Sequence, residues 1–424
     1  MIEIQPATKI KAEVAVPGSK SITQRALIAA ALAEGESTLL GPLASEDTRY
    51  TAAALEQMGV TVEKDRDKWT VKGHGGRIAT PDKEIFLGNN GTATRFLASV
   101  AALGSGTFRV SGDERMAERP ILPLMQALQG WGVDISSINN NGCPPLLINA
   151  SGLSGGKTIL PEGKSSQYLS SLLLVGPYAQ HEAELDVEGE ILSLPYVIMT
   201  LAVMEAFGIR VEANEALNSY RIPRGRYSAR EYAIEGDASN ASYFYAAAAV
   251  TGGEVTVPNV PVPSLQGDAA FVALLARMGC QVNKTGEGLT VSGPDELKGI
   301  TIDMADMPDV VPTLAVVAAQ AQGRTTIKNI GHLRIKECDR LHVMAVELAK
   351  MGARVQELED TLVIEGKDPD APLHGAEINT YNDHRIAMSF ALAGLAVPGV
   401  KIRGEECVAK SFPDFWERFA LLYN

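Results

Sequence analysis

The chain has 424 residues and a formal charge of −13, with 38 basic side chains against 51 acidic ones. Hydrophobic residues make up 46% and charged residues 21%, enough apolar material for a large core without disulfide or metal staples. The acidic balance excludes the broad basic face that duplex nucleic acid or an anionic membrane surface requires, but it permits a small anionic ligand, which needs only a few local cations.

The first segment, MIEIQPATKIKAEV, alternates apolar and polar residues and reads as a strand rather than a signal sequence. The chain contains no run of about 18–20 apolar residues, so no membrane span is expected. Cys143, Cys280, Cys338 and Cys407 lie far apart, with no CxxC or Cys/His ladder. That pattern predicts free thiols, a cytoplasmic location and no metal site.

From Lys20 onward a phrase recurs in which an apolar helix stops at a glycine and a strand follows. It appears as LEQMGVTV, LQGWGVDI, MEAFGIRV, LARMGCQV and LAKMGARV, with stops at Gly59, Gly132, Gly208, Gly279 and Gly352. Before each copy an Ala-rich helix reaches a Gly-containing turn and a strand, as in ALAEGESTLL, AALGSGTFRV, AAVTGGEVTV and AQAQGRTTIK; AVPGVKIRG repeats it near the end, and LLVGPYAQHEAELDV is a looser copy. Six repeats of about 71 residues account for the chain, each reading helix, strand, helix, strand, strand. The last repeat lacks its final strands, and the strand before Pro17 is expected to complete it.

This layout predicts two domains of three repeats. Residues 20–236 form one; residues 1–19 with 237–424 form the other. The crossings near 17–20 and 235–240 would act as a hinge, with ligand bound in the cleft between the domains.

Polar residues gather where helices start. The first set is Lys20, Ser21 and Arg25; Asn89 to Thr92 with Arg95; Ser165 to Gln167; Asp237 to Asn240; Asp306 and Asp309; and Asp383 to Arg385. The second set is Glu118 to Pro120, Ser193 with Tyr196, Lys336 and Glu337 with Asp339 and Arg340, and Lys410. Helix N-termini offer unpaired N–H groups and partial positive charge, which suits anions. Each fragment also has a plainer reading. Ser165, Ser166 and Asp237 fit simple caps, KECDRLHVMAVELAKMG a solvated helix face, GNNGT a tight turn, His384 a packed core side chain and Lys410 a surface charge. Nucleotide and hydrolase motifs fail. PGSKS lacks the upstream glycine of a phosphate loop, because position 13 is Glu13, and no GxGxxG, HExxH or GxSxG is present.

Taken together, PGSKSITQRAL, LGNNGTATRFL, ERPI, SSQYLSSLL, SLPYVIMT, MPDVVPTLA, RIKECDRL, YNDHRIAMSFAL and KSFPDFW resemble the EPSP synthase family of enolpyruvyl transferases, from about Pro17 to Trp416. The sister family that uses UDP-N-acetylglucosamine is less similar. It has Asn where this chain has Ser21, and a reactive Cys in a loop that here, over Glu114–Ile121, has none. The resemblance implies an α/β fold with mixed α+β packing, in which two domains of three βαβαββ-type repeats form an inside-out α/β barrel. It implies transfer of the enolpyruvyl group of phosphoenolpyruvate to the 5-hydroxyl of shikimate 3-phosphate in the shikimate pathway of aromatic amino acid biosynthesis. It further implies no metal or organic cofactor, a monomer whose partners are these two small anions, and a target for glyphosate.

Carried over by position, catalysis falls to Asp309, Glu337 and Lys20. Shikimate 3-phosphate would meet Lys20, Ser21, Arg25, Ser165, Ser166, Gln167, Ser193, Tyr196, Asp309, His332 and Lys336. Phosphoenolpyruvate would meet Lys20, Gly91, Thr92, Arg119, Gln167, Arg340, His384, Arg385 and Lys410. This chain departs from the family pattern at His332, where an amide is usual, and at Asn90, Thr94 and Phe96. The bulk of Phe96 is expected to bear on Gly91, Thr92 and glyphosate binding.

Overall fold

A computed structural model describes residues 1–286 and 288–423. The chain divides into two compact units, one formed by Gly18–Ile234 and the other by Met1–Pro17 with Glu235–Asn424.

The first unit holds three four-stranded sheets of one design. In each, an edge strand runs parallel to its neighbour and two antiparallel strands follow. The orders are Glu231–Ala233, Glu34–Leu40, Lys68–His74, Thr61–Lys64; then Ile85–Phe86, Ser105–Ser111, Leu146–Ser151, Asp134–Ser137; then Gly156–Leu160, Ala183–Val187, Ser219–Ile222, Glu212–Ala213. The parallel strand of the first sheet comes from the end of the unit, so its chain closes on itself.

The second unit repeats the design twice, with Lys11–Glu13, Glu254–Val257, Gly288–Ser292, Gln281–Thr285 and with Thr301–Asp303, Arg324–Lys328, Leu362–Glu365, Arg354–Glu357. Its last sheet is Glu377–Asn379, Lys401–Arg403 and Ile2–Glu3, where Ile2–Glu3 takes the first antiparallel position. The N-terminal segment is therefore two strands rather than one. Ile2–Glu3 joins the last repeat, while Lys11–Glu13 joins the fourth. Pro6, which has no N–H to donate, and Lys9, with φ at 50°, break the segment between them.

Past the polar residues of its first turns, the first helix of each repeat is apolar nearly all round, and such a helix belongs inside. In Lys20–Leu32, Ala238–Thr251, Val311–Ala319 and His384–Ala396 almost every side chain is buried. Strands such as Lys68–His74 alternate buried and exposed positions, so the sheets lie outside these helices. The recurring glycines stop the second helices: Gly59, Gly132, Gly208, Gly279 and Gly352 all have φ between 85° and 111°, where a Cβ would be strained. In the second unit the Asn259 side chain accepts from Val16 N (3.0 Å) and donates to Val16 O (2.6 Å), while its carbonyl accepts from Gly236 N (3.0 Å). Both segments leading out of this unit are thereby fastened to one residue.

Candidate active site

In the first unit the Lys20–Leu32 helix is capped by Ser19, which leaves Lys20 at its mouth. Lys20 Nζ donates to Asp47 Oδ2 at 3.0 Å. The Asp47 carbonyl accepts from Asn90 Nδ2 (2.7 Å), and Asn90 caps the Gly91–Ala101 helix by accepting from Ala93 N (2.9 Å). Lys20 and Gly91 are thus tied through Asp47, a residue that the sequence reading passed over. Its position in the first turn of a capped helix after Ser45 was the available signal.

Arg119 donates through Nη1 to Asn89 O (3.1 Å) and Asn89 Oδ1 (2.8 Å), which lays its guanidinium against Gly91. Thr92 Oγ1 accepts from Gln167 Nε2 at 3.1 Å. Ser165 stands at the cap position of the Ser166–Val175 helix, but its hydroxyl does not cap it, so the simple-cap reading fails there. Ser166 is buried in the first turn. Ser193 precedes the Leu194–Ala206 helix with φ at 58° and likewise makes no side-chain cap.

Arg25 is more deeply set than a surface contact residue. It is buried, and it donates to Thr200 Oγ1 (2.7 Å), Ser21 O (3.0 Å), Ser170 Oγ (3.1 Å) and Tyr196 O (3.2 Å). Its guanidinium lies 5.3 Å from the Phe96 ring centroid and 5.9 Å from that of Tyr196. Burial lowers its pKa to about 10, so it stays charged near neutrality. The bulk of Phe96 is used in this stack. Arg95 supports the Gly91 turn by donating to Gly91 O (3.1 Å) and Pro120 O (2.8 Å).

In the second unit Asp309 and Glu337 are brought together on two arginines. Arg340 donates through Nε to Asp383 Oδ2 (2.8 Å), through Nη2 to Asp383 Oδ1 (3.2 Å) and Glu337 Oε2 (2.9 Å), and through Nη1 to Asp309 Oδ1 (3.2 Å). Arg385 donates to Asp309 Oδ2 (2.8 Å) and to the Tyr243 hydroxyl (3.2 Å). Burial pulls the pKa of Arg340 down, but Asp383, Glu337 and Asp309 outweigh it and hold the group above its ordinary value. Arg385 is raised in the same way against burial, by Tyr243, Asp309 and Asp237.

The solvated-face reading of KECDRLHVMAVELAKMG does not hold. Lys336 and Glu337 precede the Arg340–Lys350 helix, Arg340 is buried, and Glu347 is buried and accepts from Lys350, Asn379 N and the Tyr381 hydroxyl. Asp309 sits in the short turn Pro308–Val310 that leads into the Val311–Ala319 helix. Asp383 caps the helix that begins at His384, and His384 is buried beside it. Lys410 ends the turn Glu405–Lys410 and is also buried, unlike a surface charge. Asp237 is a cap as its plainer reading had it, accepting from Asn240 N at 2.8 Å.

His332 is buried in the turn Gly331–Ile335, and neither ring nitrogen has a protein partner among the described residues. Burial, with Lys336 next in weight, lowers its pKa to about 3, so the imidazole is neutral. Asp268 was missed by the sequence reading, since nothing in its local pattern marks it. Burial, and then the charge of Asp309, raise its pKa to about 7, and the Ser239 hydroxyl donates to it.

Among the described residues no cluster of His, Cys, Asp and Glu could hold a metal ion, no helix is long and apolar enough to cross a membrane, and all four cysteines are buried free thiols.

A family model described as EPSP synthase (3-phosphoshikimate 1-carboxyvinyltransferase) matches residues 4–419. A 3-phosphoshikimate 1-carboxyvinyltransferase of Nostoc punctiforme is 43% identical over 413 residues, covering 97% of this chain and 96% of its own. One of Syntrophobacter fumaroxidans is 45% identical over 420 residues, covering 99% of each. The solved structure of an EPSP synthase from Acinetobacter baumannii matches with a TM-score of 0.81 at 30% identity, covering 99% of this chain and 97% of that one.

Proposed function

The chain belongs to the EPSP synthase (3-phosphoshikimate 1-carboxyvinyltransferase) family, and from that membership we propose that it transfers the enolpyruvyl group of phosphoenolpyruvate to the 5-hydroxyl of shikimate 3-phosphate, releasing phosphate. The observation that carries this reading down to residues is the pairing of Arg340 and Arg385 with Asp309 and Glu337. It puts two anion-binding forks beside two carboxyl groups suited to proton transfer.

Both substrates carry a phosphate and a carboxylate, so their binding calls for arginine forks and lysine point charges. Phosphoenolpyruvate is assigned to Lys20, Gly91, Thr92, Arg119 and Gln167 of the first unit and to Arg340, His384, Arg385 and Lys410 of the second. Shikimate 3-phosphate is assigned to Lys20, Ser21, Ser165, Ser166, Gln167, Ser193 and Tyr196 with Asp309, His332 and Lys336. Support comes from Ser165, whose hydroxyl does not cap the helix it precedes, and from the two ring nitrogens of His332, which have no hydrogen-bond partner among the described residues, one able to donate and one to accept. Arg25 contributes to this subsite chiefly by bracing Ser21 and Tyr196.

The reaction runs by addition and elimination. Glu337, as the carboxylic acid, gives a proton to the enol methylene. The substrate hydroxyl oxygen bonds to the carbon left electron-poor, and Asp309 takes the hydroxyl proton. In the second step the Glu337 carboxylate takes a proton back from the new methyl group, the double bond re-forms, and the C–O bond to phosphate breaks, the phosphate leaving with the electron pair and with the proton that Asp309 had taken. Lys20 offsets the charge that builds on the departing phosphate. No metal or organic cofactor enters these steps, and the protein is taken to work as a cytoplasmic monomer. A phosphate-release assay decides the reading: release must require both substrates together, and folded protein that releases none refutes it.

A further inference from the structure

Arg340 and Arg385 carry two positive charges and face three carboxylates, Asp309, Glu337 and Asp383. Both guanidinium side chains are only 2% exposed, so these pairs are poorly screened. An anion that seeks the same forks finds the donors Nη1 and Nη2 of Arg340 and Nη2 of Arg385 already held by carboxylate oxygens.

The three carboxylates are not equivalent. Asp383 has 0% side-chain exposure and accepts from Arg340 twice, from Arg385 N (2.9 Å) and from the Cys338 thiol (3.4 Å). It is a fixed anchor that keeps Arg340 aimed. Asp309 and Glu337 are 19% and 9% exposed, one in a short turn and the other in the loop before a helix. They hold the outer donors and are less deeply buried than Asp383.

We infer that the anionic groups of phosphoenolpyruvate and the carboxylates of Asp309 and Glu337 compete for the same guanidinium donors, so that substrate binding releases the base and the acid in one exchange. This rests on the enolpyruvyl-transfer reading above. The exchange keeps Arg340 and Arg385 paired with anions throughout and leaves no buried cation exposed to an apolar interior. It also frees the proton-transfer groups: Asp309 gives up its pairs with Arg340 and Arg385, and Glu337 its pair with Arg340, at the moment when the substrate arrives.

The test is calorimetric titration of the full chain with inorganic phosphate and, separately, with phosphoenolpyruvate alone. Asp309→Asn and Glu337→Gln keep the shape of each side chain and remove the competing charge, so both variants are expected to bind either anion about tenfold more tightly than wild type. Asp339→Asn is the control. Asp339 pairs with Arg334 (2.9 Å) and caps the helix at His342 N (3.1 Å), and Asn caps as well as Asp. It removes a charge next to Arg340 in the chain without freeing the donors of Arg340, and its affinity should stay within about twofold of wild type. Unchanged or weaker binding in the first two variants overturns the exchange, as does equal tightening in Asp339→Asn. Turnover of wild type with both substrates is read separately: turnover without the affinity pattern defeats the exchange alone, whereas the affinity pattern without turnover defeats the enolpyruvyl reading and leaves competition for the arginines standing.

Discussion

Gly91 lies directly against Arg119: a Cβ built on Gly91 would stand 2.4 Å from Arg119 Nη2 and 2.8 Å from its Cζ. The guanidinium can move, but its Nη1 is fixed by both oxygens of Asn89, so it would move away from the turn it now covers. Gly91→Ala is therefore expected to fold normally, with a melting temperature near wild type, because its backbone is helical. Its KM for phosphoenolpyruvate should rise by about tenfold while the KM for shikimate 3-phosphate changes little. Steady-state kinetics with each substrate varied in turn checks this, and an unchanged KM for phosphoenolpyruvate would remove Arg119 from that subsite.

Asp309→Ala and Glu337→Ala separate the two proton-transfer roles from binding. Each should lower kcat by about 10²–10⁴-fold, the usual range for loss of a general acid or base. Both residues sit outside the central helices, so circular dichroism spectra should stay close to wild type; Glu337→Ala, which leaves Arg340 paired with Asp383 and Asp309, should also melt near wild type, whereas Asp309→Ala takes from buried Arg385 its carboxylate partner and should melt several degrees lower. Wild-type rates in either variant would vacate the corresponding role.

Much of this arrangement could be read from the chain. The glycine stops are local signals, since only a residue without Cβ sits easily at the φ of Gly59 or Gly208, and their even recurrence exposed the repeat. Capping was legible in part: Asp237 caps as read, because it acts on backbone only three residues away, whereas Asn90, read as a turn residue, caps its helix, and Ser165, read as a cap, does not. Long-range pairs were not. Nothing near Asp47 announces Lys20, and nothing near Asp268 announces Asp309, because the first pairing depends on how two helices of one repeat pack and the second on how two repeats pack. The split of the N-terminal strand escaped for a related reason. Alternation predicts a strand, whereas Pro6 and Lys9 decide that its two halves serve different sheets.

Asp268 gives the protein an unusual dependence on pH. Its folded pKa of about 7 lies above the ordinary value of 3.8, so the folded state holds its proton over a range in which the unfolded chain has lost it. Stability from this group is complete below about pH 4 and declines as pH rises toward about 7. Thermal melts of wild type should therefore show a loss of several degrees between about pH 5 and about pH 8 that Asp268→Asn lacks, since the amide cannot ionise. Parallel melting curves for the two proteins across that range would contradict the assignment.

His332 acts with the opposite sign. Its folded pKa of about 3 lies below the ordinary value of 6.5, because burial and the neighbouring Lys336 both oppose a positive ring. The unfolded chain takes up a proton on this residue as pH falls below about 6.5, and the folded protein does not until about pH 3, so stability is lost toward acid across that window. His332→Asn, which keeps a donor and an acceptor without a titrating ring, should flatten the acid side of the stability curve. The same variant should leave the pH profile of kcat between about 6 and 8 unchanged, because a ring that is already neutral contributes no titration there. Nuclear magnetic resonance of the His332 ring carbons gives a direct reading: chemical shifts that remain those of neutral imidazole down to about pH 4 agree with this account, and a midpoint near 6.5 refutes it.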